Sequence, residues 1–134
     1  MKRLLLDANV MIRFLRADHT DHFERAKALF EQAESGDLRL VLLDAVLAEV
    51  VYVLTSVYEA KRADVADTLR PFLFHGGIEC PGNKVLADAL GRFATNGVDF
   101  LDAYLAAQAL AMEVPVSTFD KDFRKFKDIK FEAP

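Results

Sequence analysis

Short apolar runs alternate along this chain with longer segments in which apolar residues recur at helical spacing. The short runs predict five buried strands, at residues 4–6, 38–43, 78–80, 116–119 and 129–131. The longer segments predict helices at residues 8–15, 22–34, 45–58, 62–74, 84–95 and 99–112. Strands separated by helices join one sheet through right-handed crossovers, so neighbouring strands run parallel. The sequence therefore predicts an α/β fold, a three-layer α/β/α sandwich with a mainly parallel central sheet.

The chain has the length of one domain, 134 residues, and no linker or repeat divides it. We therefore expect residues 1–134 to form a single domain. A single cysteine, Cys80, excludes an internal disulfide and a cysteine-rich zinc site, and is typical of a reducing cytosol. No apolar run is long enough for a membrane span, and the first residues lack the apolar core of a signal peptide. We expect a soluble, cytoplasmic protein with no membrane partner.

Acidic residues stand where predicted strands end or predicted helices begin. Asp7 follows the first strand, Asp99 and Asp102 open a helix and share one of its faces, and Asp120 and Asp122 follow the fourth strand. Each of these acids alone can be explained as a helix cap or as a first-turn residue that complements the helix dipole. All of them lie where a parallel sheet binds its ligands, at the carboxyl ends of its strands. We therefore treat them as one candidate site.

Glu49 is the only charged residue in the predicted helix 45–58, for which Asp44 is the predicted cap. A helix that is apolar nearly all round is predicted to be buried. A buried carboxylate costs several kcal/mol unless it is paired, protonated or bound to a metal. The alternative is that one helix face reaches solvent and Glu49 points outward. Asn9 and Thr118 are weaker candidates for supporting the carboxylates, because a helix start and a strand explain them equally well.

A cluster of carboxylates predicts a cation, because several crowded carboxylates cannot all ionise without positive charge between them. Oxygen-only ligands select hard ions such as Mg²⁺ or Mn²⁺. The motifs that other enzyme classes require are absent, since there is no glycine-rich phosphate loop and no G-x-S-x-G nucleophile motif. The three histidines lack metal-ligand spacing, and Cys80 is better explained as buried apolar filling than as a nucleophile.

Four motifs in order resemble the PIN domain, and most closely the VapC-type toxins of toxin–antitoxin pairs. They are L-L-L-D-A-N at 4–9, Glu49 in its apolar helix, D-F-L-D-A at 99–103 and T-F-D-K-D-F at 118–123. The resemblance covers essentially the whole chain and implies an α/β/α sandwich with a parallel sheet. It also implies hydrolysis of RNA phosphodiester bonds that depends on Mg²⁺ or Mn²⁺. Ala8 departs from the threonine that is frequent at its position in the family.

By this resemblance the catalytic acids are Asp7, Glu49, Asp102 and Asp120. The metal ligands are Asp7, Asp102 and Asp120, while Asp99 and Asp122 match positions that are less regularly acidic. Metal ions held there would lower the pKa of a bound water and aim it at phosphorus, so no side-chain nucleophile is needed. The resemblance further implies a homodimer and a small antitoxin protein that covers the acidic groove.

The overall charge of −4 excludes RNA binding through bulk positive charge. RNA would instead be held through the metal ions and a local basic strip beside Asp120. An ordinary solvated terminal face explains that strip equally well. The candidate contacts with the RNA backbone are Arg13, Lys121, Arg124 and Lys125, with Arg16, Lys127 and Lys130 as further members of the same basic regions.

Three other readings stay open on the sequence. One is a PIN-domain nuclease that processes RNA, or cuts DNA, outside a toxin–antitoxin pair. A second is a PIN module that binds RNA or protein without cleaving it. A third is a phosphatase of the haloacid-dehalogenase type, which expects a second aspartate two residues after the first, where this chain has Asn9.

Overall fold

Five strands and six α-helices alternate along residues 1–134, all of which the computed structural model describes. The strands are β1 (Lys2–Leu5), β2 (Leu38–Val41), β3 (Ile78–Glu79), β4 (Val116–Ser117) and β5 (Phe131–Glu132). The helices are α1 (Ala8–Arg16), α2 (Thr20–Glu34), α3 (Asp44–Ser56), α4 (Arg62–Phe74), α5 (Asn83–Asn96) and α6 (Phe100–Met112). A short 3₁₀ helix, Lys121–Lys125, follows β4. Every predicted strand and helix is present, with ends that shift by a few residues.

All strand pairs are parallel, which confirms the predicted α/β class. In the first sheet β2 lies between β1 and β3, with Leu4 opposite Leu40 and Leu40 opposite Ile78. In the second sheet β4 pairs with β5, with Val116 opposite Phe131. The predicted central sheet is thus divided into two parallel parts, and no ladder joins β1 to β4. The short length of the strands explains this division. Two-residue strands form few backbone hydrogen bonds, so the second sheet is held mainly by side-chain packing.

One apolar core connects the two sheets and the helices. Helix α2 packs on β2, α4 packs on β3, and α5 packs along both α4 and α6. Leu40 and Leu42 are fully buried at the centre, where β2 has neighbours on both sides. Burial of apolar surface stabilises a fold by about 25 cal/mol per Å², so this core makes the main stabilising contribution. None of the six helices has the combination of length and apolar character that a bilayer crossing requires.

Two helix ends near the candidate site are set by backbone conformation. Helix α5 ends at Gly97, whose φ of 65° lies in the left-handed region that glycine adopts without strain. Asp99 follows with extended backbone, φ −62° and ψ 152°, and α6 begins at the next residue. The sharp turn between α5 and α6 therefore places Asp99 and Asp102 at the start of α6, as the sequence predicts.

Candidate active site

Asp7 occupies the N-cap position of α1, directly after β1 and the buried Leu6. Its backbone is extended, with φ −84° and ψ 147°, and its carbonyl oxygen accepts a hydrogen bond from the N–H of Val10 at 3.1 Å. Its carboxylate makes no capping hydrogen bond and is exposed to solvent. Capping therefore does not account for this side chain, which is free to bind a ligand.

Asp99 and Asp102 lie on the first turn of α6. Asp99 is the N-cap residue, and its exposed carboxylate also makes no capping hydrogen bond. Asp102 is half-buried, one turn further along the same face. The adjacent Phe100 and Ala103 are buried in the core and fix the helix in place. The pair is thus presented on a rigid element.

Asp120 is oriented by two short-range hydrogen bonds. Its backbone N–H donates to Oγ1 of Thr118 at 2.9 Å, and its carboxylate Oδ1 accepts from the backbone N–H of Asp122 at 2.8 Å. The Asp120 side chain thus caps the 3₁₀ helix, as the simplest interpretation of the sequence expects. One oxygen, Oδ2, is left without a hydrogen bond within the protein. Thr118 acts as an acceptor that sets the backbone at Asp120.

The electrostatics show which of the predicted acids lie together. Burial raises the pKa of the Asp102 carboxyl above its ordinary value, and the carboxylates of Asp120, Asp99 and Asp122 raise that pKa further. The structure therefore places three acids near Asp102, and we call these four residues together the acid cluster. Asp7 and Glu49 are not among the charges that act on Asp102.

Glu49 corrects one expectation. Helix α3 buries only one face, formed by Leu47, Val50, Val51 and Leu54, and Glu49 lies on the exposed opposite face. The predicted burial of its carboxylate is wrong, because the apolar residues on that face, Ala45 and Tyr52 among them, also reach solvent. Glu49 lines an open cavity of about 480 Å³ between α3 and α6, together with Phe100 and Leu101. It thus faces the helix that carries Asp102, from a neighbouring element.

The sequence did not reveal a hydrogen-bond network beside Glu49. Asp44 is the first residue of α3, and its carboxylate accepts from the hydroxyl of Tyr104 on α6 instead of capping α3. Gln108 Nε2 donates to the same hydroxyl oxygen at 3.1 Å. Gly82 lies so close that a Cβ there would stand 2.3 Å from Oδ1 of Asp44. The available signal was the pair of polar residues Tyr104 and Gln108, four apart in a helix whose only other polar residue is Asp102.

Asn9 lies apart from the acid cluster. It lines a groove of about 390 Å³ between α1 and α2 with Arg13, His22 and Arg25. Arg13 is half-buried, and its Nε is a buried donor without a hydrogen-bond partner. The structure thus places Asn9 and Arg13 in a basic groove, while the predicted role of Asn9 beside the carboxylates has no contact to support it.

The basic strip beside Asp120 is exposed. Its three residues on the 3₁₀ helix make no ion pair, although six ion pairs form elsewhere. The buried ring of Phe123 anchors that helix from below. These three side chains are Lys121, Arg124 and Lys125.

The donor chemistry of the acid cluster fits a hard divalent cation, since every candidate ligand is a carboxylate oxygen. A cation bound there would relieve the crowding of negative charge at Asp102, because it would stabilise the ionised carboxylates. In the present side-chain arrangement no three acidic, histidine or cysteine side chains converge as ligands of one ion. Rotation of exposed carboxylates is therefore part of any binding event at this cluster.

The protein is thus a parallel α/β protein whose candidate site consists of acidic side chains that follow its strands. Residues 4–129 match the PIN domain, and the chain belongs to the PIN domain family. It is similar to VapC ribonuclease Mb2897 of Mycobacterium bovis and to Ribonuclease VapC43 of Mycobacterium tuberculosis. Each is 28% identical over an alignment that covers 98% of this chain and 95% of the relative. The family resemblance in the sequence is confirmed.

Proposed function

We propose that this protein is a divalent-metal-dependent ribonuclease and the toxin of a toxin–antitoxin pair. The observation that carries the proposal is the acid cluster, in which half-buried Asp102 is surrounded by three further carboxylates in a PIN domain. Two near-full-length relatives are named VapC ribonucleases, in agreement with the predicted activity. No residue pair suited to nucleophilic catalysis competes with this site, because buried Cys80 has a raised thiol pKa caused by burial and by Asp44.

In this proposal Asp7, Asp102 and Asp120 would hold Mg²⁺ or Mn²⁺. A bound ion would supply an activated water and would offset negative charge on the phosphate oxygens. Asp120 keeps its place through Thr118 and the Asp122 N–H, so one of its oxygens stays available. Asp99 and Asp122 add negative charge that strengthens the attraction for a cation. Glu49 completes the site from α3, and Asn9 supports the Asp7 end.

The RNA backbone is proposed to lie along the basic strip that leads away from Asp120. The three strip residues are exposed and make no ion pair, so binding a phosphate breaks none. Arg13 is proposed as a second phosphate contact, because His22 and Arg25 line the same groove and the bond from its Nη1 to Asp18 is long, at 3.4 Å. The negative charge of the whole chain then confines RNA to these two regions.

A homodimer and a small antitoxin complete the proposal. Large apolar side chains on α3 and α6 remain exposed, with Tyr52 at 62% and Leu101 at 64%. Contiguous exposed apolar surface marks an interaction site, and a second copy of the chain is the proposed occupant. A cytoplasmic location remains part of this proposal.

Cleavage of a mixed RNA pool tests the proposal. The purified protein is incubated with Mn²⁺ or with a chelator, and Asp7→Asn serves as the inactive variant. We expect cleavage by the wild-type protein that requires the metal, and loss of at least about a hundredfold in rate on substitution of a metal ligand. Equal cleavage patterns for the two proteins, or no effect of the chelator, would falsify the nuclease assignment.

Binding of RNA without cleavage by the metal-loaded protein would favour the non-cleaving PIN module instead. A neighbouring gene that encodes a short protein with a DNA-binding start separates the toxin from an RNA-processing nuclease. Co-purification of that short protein with this chain, together with loss of cleavage, is the expected result for a toxin. Cleavage that its presence leaves unchanged would favour the RNA-processing alternative.

A further inference from the structure

Arg92 on α5 is the only charged side chain that is buried in the fold. Its Nε donates to Oδ1 of Asp88 at 2.9 Å, one turn earlier on the same helix. Its two terminal nitrogens donate to both carboxylate oxygens of Asp128, at 2.8 and 2.5 Å, and its guanidinium lies 5.5 Å from the centre of the Phe126 ring. Two parallel bonds to one carboxylate fix the orientation of the pair as well as its distance.

This arginine connects the two halves of the acid cluster. Asp128 lies on the segment 120–128, which carries Asp120 and Asp122, whereas α5 packs along α6, which carries Asp102. A second contact lies one turn beyond Arg92, where Nδ2 of Asn96 donates to the carbonyl oxygen of Lys125 at 3.3 Å. The only ladder that holds the far end of this segment is the two-residue pairing of β4 with β5.

We propose that Arg92 is a positioning residue that sets the distance between Asp102 and Asp120 by holding the segment 120–128 against α5. The inference rests on the proposed function, since it takes the acid cluster as the metal site. Without the Arg92–Asp128 pair the core helices keep their packing, because Phe123 and Phe126 remain buried. The segment then samples more positions, and Asp120 is held less closely beside Asp102. Groups that orient metal ligands in this way typically change metal affinity by about 10- to 100-fold.

The test uses Asp128→Asn as its principal variant. The Asp128 side chain is 52% exposed and Arg92 keeps its bond to Asp88, so this variant retains the fold. Arg3→Gln is the matched control, because it removes an ion pair to Glu79 that joins β1 to β3 and involves no member of the acid cluster. Arg92→Lys retains the charge and loses the two parallel bonds.

Two measurements are made on each purified protein, and neither depends on activity. Titration calorimetry gives the affinity for Mn²⁺, and the rate of limited trypsin cleavage after residues 121, 124 and 125 reports the mobility of the segment. For Asp128→Asn we expect Mn²⁺ binding weaker by about tenfold or more and faster cleavage in this segment. Arg92→Lys is expected to lie between this variant and the wild type. The control is expected to match the wild type in both.

The outcomes separate the inference from the proposed function. If Asp128→Asn binds Mn²⁺ as tightly as the wild type while Asp102→Asn loses binding, the inference is wrong and the metal site stands. If the control weakens binding as much as Asp128→Asn does, the effect is one of general stability and the inference is also wrong. If the wild type binds no Mn²⁺, both fail.

Discussion

Asp102→Asn offers a direct measure of charge crowding at the acid cluster. In the metal-free protein burial and three neighbouring carboxylates raise the pKa of Asp102 in the folded state. A carboxyl group whose pKa is higher in the folded than in the unfolded state stabilises the folded state while it is protonated. This stabilisation is fully present below the unfolded-state pKa of about 3.8 and is lost as the pH rises above that value. The variant lacks that titration. We therefore expect Asp102→Asn without metal to gain stability relative to the wild type as pH rises from 4 towards about 7.

With Mn²⁺ bound, we expect the wild type to be more stable than Asp102→Asn. The size of the expected shift in melting temperature follows from the chain length. A ligand at about 100 times its Kd stabilises the folded state by about 2.7 kcal/mol. For 134 residues the entropy of unfolding is about 0.28 kcal/mol/K, from about 2.1 cal/mol/K per residue. The melting temperature of the wild type is thus expected to rise by about 10 °C on Mn²⁺ binding, and that of Asp102→Asn by less than about 2 °C.

Thermal melts monitored by circular dichroism, with chelator and with Mn²⁺ at several pH values, provide the measurement. Asp64→Asn is the matched control, because Asp64 is also an acid in the first turn of a helix, α4, but is exposed and outside the acid cluster. It loses only the favourable interaction with the helix dipole and should melt slightly below the wild type at neutral pH. Equal Mn²⁺ shifts in wild type and Asp102→Asn, or a metal-free Asp102→Asn that melts like the control, would refute the reasoning.

Four further predictions concern the core, helix α5 and the basic strip. Gly77→Ala should lower stability by about 1–3 kcal/mol in chemical denaturation, since its Cβ would stand 2.4 Å from the carbonyl oxygen of Ala33. Gly91→Ala, in open space on α5, should raise stability by about 0.5–1 kcal/mol, and a loss there would contradict the packing described. Phe123→Ala should cost about 3–5 kcal/mol, because its ring is 1% exposed. Neutralising the basic strip should weaken RNA binding and reduce the number of counterions released on binding by about three. A fluorescence titration of RNA binding at several salt concentrations measures this number. An unchanged salt dependence would exclude the strip as an RNA contact. That variant is Lys121→Gln, Arg124→Gln, Lys125→Gln.

The fold class was predictable because its signals are local and repeated. Each strand is a short apolar run, and each helix has its own apolar spacing and its own end signal, such as Gly97 after α5. The division of the sheet was not predictable. It depends on how two-residue strands such as β4 pair at a distance, and an apolar run of four residues does not encode that.

The candidate site was predictable in part for a similar reason. Asp99, Asp102, Asp120 and Asp122 are placed by helix starts and strand ends, which sequence reveals. The exposure of Glu49 was only the alternative prediction, because apolar residues also occur on solvent-facing helix surfaces where partners can bind.

Contacts between distant residues were missed more completely. Arg92 and Asp128 are 36 positions apart, and Tyr104 and Asp44 are 60 apart. The local sequence around each of these residues does not indicate which distant residue it contacts. Such pairs are set by the tertiary fold, in which they join α5 to the segment with Asp120 and α6 to α3.

The pairing of β4 with β5 has a consequence for the newborn chain. The segment with Asp120 is held by the buried ring of Phe123, by the Arg92–Asp128 pair and by the pairing of β4 with β5, and both Asp128 and β5 are made after all six helices. Parallel pairing also delays the first sheet, since β1 must wait for β2 more than thirty residues later. A polypeptide halted at α6 would have Asp7 and Asp102 but neither Asp120 nor its anchors. Assembly of the four clustered acids is thereby postponed until the residues up to Glu132 have been made.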